Sequence, residues 1–470
     1  MITYIKIDGF KSFQNFEMCF TPFTVIAGSN AAGKSNLFDA LQLLSALAES
    51  DKIQKAFRVQ RGDLLEQFTC YDDNTRANKM SFIVDMLVNS EIKDAWGSSA
   101  KLKYTRLRYE LVLKRFTNAI GMEDIVVEYE SLDTIKHDTD LWLHIIPSNV
   151  SEHWRPKVVT GKRQKPYMKT ENHNGINTVV VSQDGSQGNK RSYPLLNATR
   201  TILSSFDSVD FRHILAAKEE MRSWRFLQLN PEDLRTPTSK AMGDDIITPS
   251  GHNLAAALYR IKQQDPYNLK IISRKLHNFI PNFVEVKVVD DVENKQYVIV
   301  LKDVDNKEYT SRVLSEGTMR ILTLCILWQD DKHNGLLCFE EPENGIHPFR
   351  IKAMAELLKD LAVDFTDKES KLRQVIVNTH STTFIKEVKK WLSNSSLTIA
   401  FAQMVDRIIT INGAKKKVLA TKITPIPKEG AWQTSIPFSE QEKKMSFQMI
   451  QEYLQGYDDE SLDLTTKLNE

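Results

Sequence analysis

The sequence of 470 residues predicts an α/β protein with a mixed central sheet, and three observations predict it. The apolar run at residues 23–27 leads through a glycine-rich turn into a helical pattern, with Leu37, Leu41, Leu44 and Ala48 on one face. A second apolar run ends in Glu340 and Glu341, and a third ends in His380. Short buried runs that deliver polar residues to their C-terminal ends are the mark of parallel strands, because ligands of open α/β sheets bind at that edge.

The turn after the first run reads Gly28, Ser29, Asn30, Ala31, Ala32, Gly33, Lys34 and Ser35, followed by Asn36, a complete G-x-x-x-x-G-K-[ST] phosphate loop. Its glycines let the backbone fold around an anion, and successive N–H groups at the new helix face the charge. Lys34 is placed to reach the β- and γ-phosphates of ATP, and the Ser35 hydroxyl to ligate Mg²⁺. A chance match on an ordinary strand–helix turn is the competing explanation, and the flanking pattern argues against it.

Residues 79–89, 101–115 and 124–132 read as strands and form a β-rich lobe. Around residues 103–112 both alternating sets mix polar and apolar side chains, so neither face is expected to be wholly buried. Residues 136–200 are the least patterned. Within them, residues 155–169 carry Arg155, Lys157, Lys162, Arg163, Lys165 and Lys169 with no acid, and Trp154 and Tyr167 lie among them. Such a run is either a nucleic-acid or phosphate contact or simply solvated surface.

Residues 198–228 are expected to be helical, and residues 224–235 to form a strand ending in a turn. A helix is expected over 253–264 with Asn253 near its cap, and two or three strands over 283–312 with a turn at 303–307. Lys415, Lys416, Lys417 and Lys422 are expected to lie between two strands. Residues 439–455 carry an amphipathic helical pattern with Phe447, Ile450, Tyr453 and Leu454 on one face, and an acidic end follows.

Glu340 is placed to hold Mg²⁺ through its water shell, and Glu341 to act as general base for the attacking water. A strand end followed by a charged turn is the plain alternative. Residues 314–318, Leu-Ser-Glu-Gly-Thr, precede an apolar helix, and residues 341–348, Glu-Pro-Glu-Asn-Gly-Ile-His-Pro, continue the acidic strand. A histidine such as His380 at a strand end can contact a γ-phosphate, though a lone one is more often a cap or core residue.

Together these residues resemble the ABC-type ATPases, specifically the SMC/RecF/OLD-like branch. The resemblance implies an ABC-type head with a β-rich lobe, a helical signature lobe and a small C-terminal extension. It implies that Ser315 and Gly317 form the signature that caps ATP held by a partner's phosphate loop, so the chain would form a homodimer or higher homo-oligomer through its ATP sites. It places Glu341 as catalytic acid–base residue, Asn344 in the D-loop, and His380 as the switch histidine. Gln60 is a weak match to the Q-loop glutamine, and Glu340 stands where an aspartate is usual.

Residues 5–13, 224–235, 251–254 and 340–348 look like the stand-alone ATPases of bacterial anti-phage modules, Septu first and PARIS second. No sustained heptads fill residues 36–314, which excludes a long coiled-coil arm. Residues 395–470 lack the glutamate and Asp-x-Asp of a Toprim nuclease, so a separate effector, an HNH-type nuclease first, is the implied partner. The competing functions are a RecF/SMC-like DNA-repair clamp and an ATP-bound scaffold that sequesters an effector. The corresponding division of the chain is 1–135, 136–245, 246–394 and 395–470.

Composition sets the outer bounds. A net charge of +1 gives no global basic field, and 41% hydrophobic with 26% charged residues is ordinary for a globular chain. Four cysteines without a C-x-x-C pair fit a bacterial cytoplasm better than a disulfide framework. The N-terminal strand contains Lys6 and Asp8 and does not read as a signal peptide, and no apolar run is long enough to span a membrane.

Overall fold

A computed structural model describes all residues except 73–74, 119–120, 145–149, 159–164, 185–188, 243–245, 394–395, 412 and 427–470. The predicted amphipathic helix at 439–455 therefore lies outside the described residues, as do Lys162 and Arg163. The fold is mixed α/β, as the sequence predicts, and forms two compact units. The first comprises residues 1–224, 364–372 and 393 onward; the second comprises 225–363 and 373–392.

The first unit contains an eight-stranded antiparallel sheet. Its spatial order is Lys190–Pro194, Ile176–Ser182, Met168–His173, Glu123–Thr134, Arg106–Thr117, Lys79–Leu87, Ile2–Asp8 and Phe16–Cys19. Three of these strands fall within residues 136–200, where the sequence shows little pattern. Their hairpin turns on Asn174 and Gly175, both at positive φ, and Asn-Gly is the dipeptide that a type I′ turn favours.

The strand Arg106–Thr117 departs from expectation. Leu107, Tyr109, Leu111 and Leu113 are all buried, so one face is buried over residues 107–113, while Arg115 and Thr117 further along it are half-buried and exposed. Arg106 is also buried because Asp140 takes its Nε and Nη2 in a bidentate pair at 2.7 and 2.8 Å. Its remaining Nη1 donates to Thr3 Oγ1. Removing one member of such a pair strands a buried charge, which costs about 3–5 kcal/mol.

The same unit holds the strand Phe23–Ala27, buried at every residue, in parallel pairing with Leu397–Ile411. Leu397–Ile411 in turn forms a long hairpin with Ala414–Pro425. Residues 397–401 thus pair with the phosphate-loop strand, and residues 414–425 extend the same sheet one strand further. The lysines at 415–417 and 422 lie within a strand, not between two. Lys415 and Lys417 alternate outward while Val418 and Ala420 face in, which hides the strand behind a charge run.

The helix Lys34–Glu49 buries the predicted face, Leu37, Leu41, Leu44 and Ala48. Residues 198–228 are less helical than expected. Two short 3₁₀ turns precede one helix, Arg212–Arg222, and Arg225–Leu227 is already a strand of the second unit.

In the second unit, Arg225–Leu227, Gly335–Glu340 and Arg373–Thr379 run parallel, with Gly335–Glu340 in the middle. A small antiparallel sheet joins Thr238–Ser239, Gln296–Asp303, Phe283–Asp291 and Glu308–Thr310. The helix Glu316–Gln329 is buried at every position from Gly317 to Leu327, so it is a core helix rather than a surface one. Helices Leu254–Gln264, Tyr267–Phe279, Pro348–Leu361 and Thr382–Lys389 complete the unit. Asn253 precedes the first of these, but its side chain binds Thr248 N and Ile246 O instead of capping the helix.

Candidate functional site

The phosphate loop of the first unit is shaped by what cannot be there. A Cβ on Gly28 would stand 2.5 Å from the carbonyl oxygen of Ala402, and one on Gly33 would stand 1.8 Å from Thr421 Oγ1. Gly33 also adopts φ 82° as it opens the helix, and Ala31 is left-handed at φ 63°. The loop folds over its own lysine. Lys34 is buried and its Nζ donates to Gly28 O at 2.8 Å and Ser29 O at 2.7 Å. Ser29, Asn30 and Ala31 are exposed at the tip, Ala32 is buried, and Ser35 is half-buried in the first helical turn.

Residues that the motif does not contain hold this loop. Asn36 Nδ2 donates to Ser12 Oγ at 2.7 Å, and Ser12 Oγ lies 2.6 Å from the fully buried Thr421 Oγ1. The backbone N–H of Thr421 bonds Ser12 O at 2.9 Å. Further along the helix, Asp39 is buried under two cations: Lys11 Nζ at 2.6 Å and Arg61 Nη2 at 3.0 Å. Gln60 packs on the same helix, its amide meeting Asp39 O at 3.1 Å and Leu43 N at 3.2 Å. Ser12 falls in the segment 5–13 noted above, but no sequence motif marks Thr421.

The acidic residues belong to the second unit. Glu340 ends its strand opposite Asn378, whose Nδ2 lies 3.5 Å from Glu340 Oε1. Glu341 then turns the chain with φ 46°, a conformation that costs a non-glycine residue about 1–3 kcal/mol. Its N–H is fixed by Asn378 O at 2.8 Å. Its carboxylate is held at both ends: His380 Nδ1 meets Oε1 at 2.8 Å, and Asn344 Nδ2 donates to Oε2 at 2.8 Å. An ionised carboxylate has about four acceptor positions, so two donors leave room for a water. The structure therefore brings together Glu341, Asn344 and His380, which the sequence proposes separately.

Glu343 is a further acid in this turn, visible in the sequence only as the second glutamate of Glu-Pro-Glu. It is buried, Thr379 Oγ1 bonds its Oε1, and its Oε2 has no hydrogen-bond partner among the described residues. Burial pushes its pKa up, and the Thr379 hydroxyl opposes that shift.

Ser315 caps the core helix, its Oγ accepting from Thr318 N at 3.3 Å. Such a cap is worth about 1 kcal/mol. Arg235 Nε holds Leu314 O at 2.9 Å, so the segment before the signature is tied to the helix Pro231–Arg235. Gly317 and Gly345 face each other. A Cβ on Gly317 would lie 3.3 Å from Gly345 O, and one on Gly345 would lie 2.2 Å from Glu316 Cδ.

The aromatic residues of the basic run are structural. Trp154 is buried, with Nε1 donating to Asp367 O at 2.8 Å, and Tyr167 is buried and stacked on His213 at 4.1 Å. Neither ring is available to stack on a base. Arg155, Lys157, Lys165 and Lys169 are exposed, so of the described run only its cations face solvent. The four cysteines are free, and among the described residues no helix is long and apolar enough to cross a membrane.

Among solved structures, the Smc head bound to the C-terminal winged-helix domain of ScpA is similar over 91% of this chain and 98% of its own, at 14% identity and a TM-score of 0.46. The SMC head domain from Thermotoga maritima is similar over 91% and 99%, at 12% identity and a TM-score of 0.38. An Smc head with an extended coiled coil, bound to the C-terminal domain of ScpA from Pyrococcus furiosus, covers 90% and 96% at 14% identity and a TM-score of 0.39. No curated protein matches in sequence. One family model spans residues 23–386, from the phosphate-loop strand past His380. The chain belongs to that family, described as "AAA domain, putative AbiEii toxin, Type IV TA system".

Proposed function

We propose that this chain binds ATP with Mg²⁺ and hydrolyses it, and that its ATP-bound dimer switches a separate effector protein in bacterial anti-phage defence. The observation that carries hydrolysis is the Glu341 carboxylate, held between His380 and Asn344 on a backbone that is itself strained. Strained backbone with convergent polar groups is characteristic of sites that do chemistry.

The residues fit the nucleotide. Gly28 and Gly33 let the loop pack against Ala402 O and Thr421 Oγ1, and Lys34 sits inside the loop on carbonyl oxygens that phosphate oxygens can replace. Backbone N–H groups of residues 29–36 would hold the phosphates and Ser35 would hold the metal. Glu340, at the end of its strand in the second unit, is the acid that the resemblance assigns to the metal. Bound ATP supplies the γ-phosphoryl group and its leaving group. Glu341 takes the proton of the attacking water on a carboxylate oxygen, and His380 Nδ1–H keeps the carboxylate aimed. Ser315 and Gly317 act on the nucleotide of a second copy.

The family description refers to a toxin of a toxin–antitoxin system, which is in keeping with an ATPase that works with a toxic effector. An HNH-type nuclease, as in a Septu-like pair, is the partner this reading favours, with a PARIS-like arrangement second. Glu341→Gln keeps shape and one acceptor oxygen but cannot take a proton. It should bind ATP as the unaltered chain does while turnover falls at least about 100-fold. Unchanged turnover would remove Glu341 from the base role.

A further inference from the structure

We infer that Asn344 is a positioning residue for Glu341, and that Glu316 of the signature turn sets its position through Gly345. This rests on Glu341 being the base, as proposed above. Only the NH₂ of Asn344 can bond a carboxylate, so its Nδ2 must face Glu341 Oε2 at 2.8 Å. The backbone closes the same turn, with Asn344 N–H on Glu341 O at 3.1 Å and Ile346 N–H on Glu343 O at 3.0 Å. The buried Glu343 side chain anchors the middle of the turn on Thr379, one residue before His380.

The far end of the turn leans on the signature. Gly345 at φ 72° lies so close to Glu316 that its missing Cβ would be 2.2 Å from Glu316 Cδ. Arg320 Nε tethers the Glu316 Oε1 at 2.9 Å and Arg320 Nη2 is itself fixed on Leu229 O at 3.0 Å, so moving the Glu316 carboxyl means breaking this pair. Gly317 packs on Gly345 O from the same side. Arg320, Glu316, Gly345, Asn344 and Glu341 therefore form one contiguous set of contacts within the second unit. A movement of the signature turn that shifts Gly345 would carry Asn344 with it and re-aim the carboxylate.

Two experiments on the full chain test this by steady-state ATP turnover, with ATP binding and thermal melting recorded alongside. Asn344→Ala should lower kcat about 10- to 100-fold while KM and ATP affinity stay within about two-fold, and Asn344→Gln should recover part of the loss. A residue that only shapes the turn would lower stability or raise KM without rescue by Gln, and that result overturns the proposal, as does an unchanged kcat in Asn344→Ala. The second experiment is a double-mutant cycle on Gly345→Ala and Glu316→Ala. Gly345→Ala alone should lower kcat, and adding Glu316→Ala should restore part of it by removing the colliding carboxyl. Strictly additive losses overturn the Glu316 link, and this cycle decides should Asn344→Ala fail to fold. Failure of the base reading is separable, since it shows as retained turnover in Glu341→Gln whatever the Asn344 variants do.

Discussion

The phosphate loop and the acidic turn are built by opposite means. The loop at residues 28–35 is held by close backbone approach: Gly28 beneath Ala402 O, Gly33 against Thr421 Oγ1, and a lysine folded back onto two carbonyls. The turn at residues 340–347 is held by side chains: His380 and Asn344 on Glu341, Thr379 on Glu343, and Glu316 against Gly345. Added atoms should break the loop at Gly28 or Gly33, while removing donors should spoil the aim of the Glu341 carboxylate in the turn. A binding surface made of N–H groups needs only a backbone path, whereas a proton acceptor must be aimed, and aiming takes side chains.

The largest expected effect is at Lys34. Lys34→Ala removes the cation of the loop and should abolish ATP binding, read by titration with a fluorescent ATP analogue. Binding at ordinary affinity would contradict the loop's role. Next comes Gly33→Ala. The added methyl meets Thr421 Oγ1 and the residue must keep φ 82°, for a loss of roughly 2–6 kcal/mol between overpacking and backbone strain. Urea unfolding checks it, and Thr421→Ala in the same chain should recover part of the loss. An equally tolerant response to alanine at Gly33 and at Asn344 would erase the contrast between the two regions.

The signature supplies a subtler test. Ser315→Arg and Lys34→Ala chains should each be inactive in ATP turnover, but mixed together they should regain one of two composite sites. A mixture no more active than either variant alone argues against action in trans. The smallest effect is a pH dependence in the acidic turn. Burial raises the pKa of Glu343, so the folded state binds a proton that the unfolded chain has released. That contribution is fully present below the ordinary glutamate pKa and is lost as pH rises through the folded value. The stability of the unaltered chain relative to Glu343→Gln should therefore fall with rising pH. A difference that grows with pH instead would mean Glu343 is ionised in the fold.

The loop was legible because its chemistry requires glycines at fixed spacing and a lysine beside them. The acids and His380 were legible because parallel strands are uniformly apolar until they end. What holds them was not legible. Ser12 and Thr421 meet across 409 positions, and nothing local in either segment signals the pairing. The burial of Arg106 was not legible in a strand of mixed alternation, because its partner Asp140 sits on a later 3₁₀-flanked turn. The hairpin at Asn174 and Gly175 was signalled by its turn dipeptide, but the polar strands on either side concealed it. The strand Ala414–Pro425 was concealed by lysines alternating with its buried residues.

The most direct test of the switch is the mass of Glu341→Gln in solution, measured by light scattering with and without ATP and Mg²⁺. A chain whose signature caps a partner's nucleotide, and which cannot hydrolyse that nucleotide, should shift to a stable dimer on adding ATP and return when ATP is removed. Glu341→Gln that binds ATP yet keeps one mass in both conditions would contradict the account, because nucleotide would then be held without joining two copies.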